Sequence, residues 1–198
     1  LGNPVHPARK AGALVAGYLI AGVVIGAAGP SFATCADPFK LKAETGSFDF
    51  KQTRRLSSMK TPLISTGVAT ARPGRIDWRV VKPVDVRLTI TPGKITQSVQ
   101  GGPAQAVGPA SADPFLRSSG LFEILSGNYD ALRKYYVIGG GPGASGGAWK
   151  LSLKPRDANL GRFLSTIEIA GCARAEAVTI RQANGDTIAI EMGAVRKG

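Results

Sequence analysis

Pro83-Val-Asp-Val-Arg-Leu-Thr-Ile90 is the stretch whose reading decides the fold. Val84, Val86, Leu88 and Ile90 are apolar, whereas Asp85, Arg87, Thr89 and Thr91 are polar. A strict period of two makes a strand with one dry face and one wet face. Working outward, Ile76, Trp78 and Val80 alternate with Asp77 and Arg79 in the same way, and Phe48 and Phe50 flank Asp49. Pro62, Gly67, Pro73-Gly74 and Pro83 stand where turns are needed. Strands are therefore expected at 47–55, 63–72, 75–81 and 84–91, with a further one near 95–100. They form an antiparallel sheet with one apolar face.

Further along, 101–112 is rich in Gly, Pro and Ala and reads as a loop. Asp37-Pro38 and Asp113-Pro114 each pair a capping residue with a proline at the first helical position. The first helix is short, because Gly46 ends it; the second carries Phe115, Leu116, Leu121, Phe122, Ile124 and Leu125 and closes at Gly127. One more helical turn fits within 128–134. Sheet then resumes from Tyr135. Trp149, Leu151 and Leu153 alternate with Lys150, Ser152 and Lys154. Ile167 and Ile169 follow, then Val178 and Ile180, and after an Asn184-Gly185 hairpin turn Ile188, Ile190 and Met192. Many short strands with helices in two places predict a mainly β (α+β) fold, a curved antiparallel sheet or open barrel. The helices are too few to cover its outside, so they are expected to plug its mouth.

Composition bounds the function. The chain of 198 residues, 43% apolar and 19% charged, fits one globular domain with accessory segments. Arg9-Lys10, the uncharged apolar run 11–28 and Ser31-Phe32-Ala33 describe a secretory signal peptide over 1–33, with a domain over 34–198. An uncleaved anchor and a lipidated Cys35 are the alternatives; the first is long enough, at roughly 18–20 residues, and the second is a poor match around Phe32-Ala33-Thr34-Cys35. In each case the folded part lies outside the cytoplasm. There Cys35 and Cys172, the only two cysteines, either form a disulfide or stand as two thiols. The excess of 25 basic over 13 acidic residues suits anionic lipid head groups or acidic partners better than nucleic acid, for which no recognition motif is present.

Catalytic equipment is sparse. His6 is the one histidine and lies in the leader, so neither a histidine-assisted nucleophile nor a histidine metal site is expected after processing. Neither a metal nor a cofactor is expected, and an enzyme is not. Gly141-Pro-Gly143-Ala-Ser-Gly146 matches G-x-G-x-x-G, but a strand is expected after it, not the helix N-terminus that holds a pyrophosphate. It reads as a glycine-rich loop. Phe48, Phe50, Trp78, Phe115, Phe122, Tyr135, Tyr136 and Trp149 fit a solid core or a ligand cavity on pattern alone, and Arg72 is a strand-end arginine of the solvated kind.

Phe48, Gln52, Gly67, Arg72-Pro73, Trp78 and Pro83, followed by Asp113-Pro-Phe-Leu116, Trp149-Lys-Leu-Ser-Leu-Lys-Pro155 and Gly185-Asp-Thr-Ile188, resemble in order and spacing the periplasmic outer-membrane lipoprotein carrier (LolA-like) family. The resemblance covers nearly everything after the leader. It implies an incomplete β-barrel with a small helical lid over a hydrophobic cavity. It implies that Phe48, Phe50, Trp78, Val80, Leu88, Ile90, Phe115, Leu116, Phe122 and Leu125 line that cavity and hold acyl chains. Arg72 would be a latch, its guanidinium reaching carbonyls of the lid. The implied cargo is acyl chains of lipoproteins or (glyco)lipids, taken by a monomer from an inner-membrane donor to an outer-membrane acceptor. An envelope scaffold or regulator sensing lipid or lipoprotein is the alternative. Three departures, a short first lid helix at 37–45, Gly93-Lys-Ile-Thr-Gln-Ser-Val99 in place of an aromatic-rich segment, and the glycine-rich loop 139–147, turn the expected cargo toward a lipid or glycolipid.

Overall fold

The computed structural model describes residues 2, 34–42, 45–92, 94–107 and 120–196. The chain divides into two compact units, 1–32 and 33–198. The expected leader, apart from Gly2, lies outside the described residues, as do Phe115 and Leu116. Among the described residues no helix is long and apolar enough to cross a membrane.

Among its described residues the second unit is built on eleven strands: β1 (Gly46–Arg55), β2 (Leu63–Arg72), β3 (Arg75–Lys82), β4 (Val86–Thr91), β5 (Lys94–Val99), β6 (Gln105–Ala106), β7 (Tyr136–Gly141), β8 (Trp149–Pro155), β9 (Leu164–Gly171), β10 (Ala175–Gln182) and β11 (Thr187–Met192). They form one antiparallel sheet in the order β6-β5-β4-β3-β2-β1-β11-β10-β9-β8-β7. Two meanders are thus joined where β1 meets β11, with Phe50 opposite Met192 and Gln52 opposite Ile190. β6 and β7 are the edges and the sheet stays open between them. This is the expected incomplete barrel.

Strand twist curls such a sheet, and bulges sharpen the bend. Register shifts occur between Thr66 and Gly67 of β2 against β3, and at both ends of β10 against β9. Cross-strand register then sorts the faces. Phe50, Gly67, Val80 and Val86 lie opposite one another across β1 to β4, as do Phe48, Ala69, Trp78 and Leu88. These residues face inward. Gly67 is required there by close approach: a Cβ would stand 2.7 Å from the Phe50 ring and 1.9 Å from the Arg79 carbonyl oxygen.

The sequence reading needs three corrections. Val84 belongs to no strand: β3 ends at Lys82, so Val84 has no cross-strand partner and is exposed, and β4 starts at Val86 opposite Val80. The 101–112 segment is not all loop, because Gln105–Ala106 pairs with Thr96 and Gln97 of β5. Of the helix expected over 37–45, the described residues form a single 3-10 turn, Pro38–Lys40, whose first amide is capped by Asp37 at 3.0 Å and whose chain is extended again at Leu41.

The remaining helices among the described residues are α1 (Leu121–Ser126), a 3-10 turn Ala131–Lys134, a 3-10 turn Ala144–Gly146 in the glycine-rich loop, and α2 (Ala158–Gly161) between β8 and β9. Gly127 ends α1 in the left-handed conformation, φ 76°, which glycine adopts without a Cβ penalty. Asp157 caps α2 through the amides of Asn159 and Leu160 at 2.7 and 3.0 Å.

Candidate lipid-binding cleft

The two halves of the concave face differ in how they are filled. Leu151, Leu153, Ile167 and Ile169 are wholly buried on β8 and β9, in one core with Tyr129, Leu132 and Tyr136. Trp149 crosses this half, tilted against Tyr129 at 5.5 Å. Its indole N–H donates to the Cys172 carbonyl at 2.7 Å. Burial pushes the Tyr136 phenol up, with the Glu123 carboxylate adding to it. This half is a solid core.

The β1–β2 half is not filled at one end. There a cleft of about 600 Å³, open to solvent on one side, has Phe48, Ala71 and Met192 as its floor. Ile124, Leu125 and Tyr129 form one wall. Leu41 and Val195 add apolar surface, and Ala173 and Ala175 close the side nearest the β9–β10 turn. Small residues make the space. Ala71, Ala173 and Ala175 each present only a methyl group to it.

A strap completes the site. Residues 34–42 cross to the β9–β10 turn, where a disulfide joins Cys35 to Cys172 with Cα atoms 4.4 Å apart. The Cys35 amide donates to the Gly146 carbonyl at 2.8 Å, and Ala36 to that of Cys172 at 3.2 Å. Arg133 lies over the Phe39 ring at 4.4 Å. Both the strap (Leu41, Lys42) and the turn it is bonded to (Ala173, Arg174) line the cleft.

Of the sequence-predicted cavity residues, Phe48 and Leu125 line the cleft. Phe50 and Trp78 stack at 3.8 Å and are buried beside it, as is Ile90; Val80, Leu88 and Phe122 are half-buried against the same cluster. Arg72 stands outside this cluster. Ala71 faces the cleft, so its neighbour Arg72 faces the convex side, where among the described residues its guanidinium donates to Asp77. Among the described residues its guanidinium meets no helix carbonyl, and 113–119 of the expected lid lie outside them. Arg75 holds the same carboxylate at 2.7–3.0 Å and Thr89 donates to it at 3.0 Å. These bonds, Arg75 first, keep the Asp77 carboxyl below the usual range. Arg79 on Asp85 and Arg196 on Asp49 do likewise at other convex positions. Among the described residues no group of side chains could hold a metal ion.

Ala71, Ile124, Tyr129, Ala175, Met192 and Val195 escaped the sequence reading as lining residues. Ala69 and Ala71 alternating at inward positions was the one signal available, and small residues on a strand do not announce a space.

No protein-family model matches the chain, and no curated protein does. Similar solved structures include a LolA superfamily protein from Nitrosomonas europaea, at 5% identity and a TM-score of 0.46 over 81% of this chain and 90% of that one. A DUF1329 family protein from Desulfovibrio piger is similar at 7% identity and 0.43 over 78% and 85%. A Vibrio parahaemolyticus domain named for outer membrane lipoprotein sorting is similar at 9% identity and 0.39 over 78% and 86%.

Proposed function

We propose that the domain is a periplasmic carrier, exported by the leader 1–33, that takes acyl chains of lipoproteins or lipids into the cleft and passes them between envelope membranes. The observation that carries this reading is the cleft itself: an apolar floor and walls beside a core that is otherwise solid. Its volume falls within the range of about 300–1,000 Å³ usual for small-molecule sites. Each buried methylene contributes about 0.8 kcal/mol. Ten of them would give roughly 8 kcal/mol before ordering costs, so binding no tighter than about micromolar. That is weak enough for release to an acceptor.

A carrier so built works as a monomer, needs no cofactor and performs no catalysis. Its donor and acceptor would be membrane proteins of the inner and outer membranes. Native mass spectrometry of protein purified from the periplasm should find co-purified lipid, and N-terminal sequencing should begin near Thr34. An intact N-terminus in the membrane fraction would replace the leader by an anchor.

The filled half around Leu151 and Ile167 favours a second reading, an envelope scaffold or regulator that senses lipid without moving it. Lipid that binds but is never transferred between donor and acceptor vesicles would select that reading.

A further inference from the structure

The rim of the cleft is cationic. Lys42, exposed on the strap, and Arg174, half-buried on the β9–β10 turn, both line it. The other polar side chains that line the cleft are the neutral Thr45, Ser126 and Tyr129. Among the described residues no carboxylate lines the cleft, and neither cation is ion-paired, although carboxylates on the convex face hold arginines in pairs. Glu44, next but one to Lys42 in the chain, lies outside the described residues. Arg174 donates from Nη1 to the Ala175 carbonyl oxygen at 3.0 Å. That bond anchors one edge of the guanidinium, while its other N–H groups have no partner among the described residues.

We propose that the cargo is an amphiphile with an anionic head, a carboxylate or a phosphate, which Arg174 and Lys42 bind while the acyl chain fills the cleft. This rests on the carrier reading and names its substrate class. The physical reason is complementarity. A neutral head would leave two cations beside an apolar wall unanswered, whereas an anionic head gains charge-assisted hydrogen bonds from the arginine fork and a second charge from the lysine. The part that holds the chain is non-directional, so the rim is where one lipid is told from another. The disulfide gives the rim its geometry, since it ties the strap carrying Lys42 to the turn carrying Arg174.

The test uses the fluorescent cis-parinaric acid and its methyl ester, two ligands with the same chain and different heads, on the oxidised protein at neutral pH. The acid should bind about tenfold more tightly than the ester, the size of one charged hydrogen bond. Arg174→Gln should cut that ratio to about threefold or less by weakening the acid, and Lys42→Gln should lower it in the same direction. Raising the salt concentration should shrink the ratio as well. Displacement by palmitic acid and by lysophosphatidic acid, with hexadecanol as the neutral competitor and inorganic phosphate as the chainless one, separates the carboxylate from the phosphate source. Equal affinity for acid and ester overturns the inference and leaves the carrier reading standing. A preference that survives both substitutions removes these two residues from it. Binding of neither ligand overturns the carrier reading along with it.

Discussion

Reducing the Cys35–Cys172 bond should loosen both the sheet and the cleft. The two cysteines are 137 residues apart, so the link closes a loop that contains nearly every strand. By the chain-entropy relation a loop of that length restricts the unfolded chain by about 5 kcal/mol, and measured disulfides typically contribute about 2–4. A loss of roughly 3–5 kcal/mol is expected in the double variant Cys35→Ser, Cys172→Ser. At a urea slope of about 1–3 kcal/mol per molar, the midpoint falls by roughly 1–5 M. The strap should detach before the sheet melts. Its backbone anchors at Cys35 and Ala36 contribute about 1 kcal/mol each. Ordering each backbone residue of the strap costs about 1–2 kcal/mol. Leu41 then leaves the cleft wall, and a bound acyl probe should exchange faster at urea concentrations well below the midpoint. Urea titrations with and without dithiothreitol, followed by circular dichroism and by probe fluorescence, read both effects. Identical midpoints and identical probe exchange in the two states would refute the reasoning.

Ala71→Phe places a phenyl ring on the cleft floor and should abolish cis-parinaric acid binding with the circular dichroism spectrum unchanged; undiminished binding would remove the cleft as the acyl site. Gly67→Ala drives a methyl into the Arg79 carbonyl and the Phe50 ring and should destabilise the sheet by about 1–3 kcal/mol in thermal or urea unfolding, as overpacking does; a neutral effect would contradict the packing of β1 on β3. Asp186, 6% exposed in the β10–β11 turn, accepts from the Ser57 amide at 2.8 Å and its hydroxyl at 3.1 Å. The amide bond above all, then the hydroxyl, Asn184 and Arg54, lowers its pKa against the opposing effect of burial. A lowered folded-state value stabilises above the unfolded value of about 3.9 and is lost as pH falls through the folded value. Asp186→Asn should therefore be less stable than wild type at pH 7 and converge with it in acid; parallel pH curves would refute the assignment.

The architecture was legible because strand signals are local. The alternations Ile76-Trp78-Val80 and Trp149-Leu151-Leu153 specify one buried face each, and the turns at Pro73-Gly74 and Asn184-Gly185 set neighbouring strands antiparallel. Those signals rest on the pleat and on backbone sterics, which each segment carries with it. Everything that makes the site came from segments meeting. Gly67, Ala69 and Ala71 alternate with Val68, Thr70 and Arg72, and neither set is apolar enough to declare itself inward. A single step of parity decides the face, and only the pairing of Ala69 with Phe48 and Trp78 puts Ala71, two residues on, inside and Arg72 on the convex surface. Whether the space beside an alanine is filled depends on which segments meet there: Leu132 and Tyr136 share one buried core with β8 and β9, while Leu125, Ile124 and Ala71 line a cleft. Likewise the distance between Cys35 and Cys172, and with it the approach of Lys42 and Arg174 to one rim, exists only once β1 has paired with β11 and the two meanders have become one sheet.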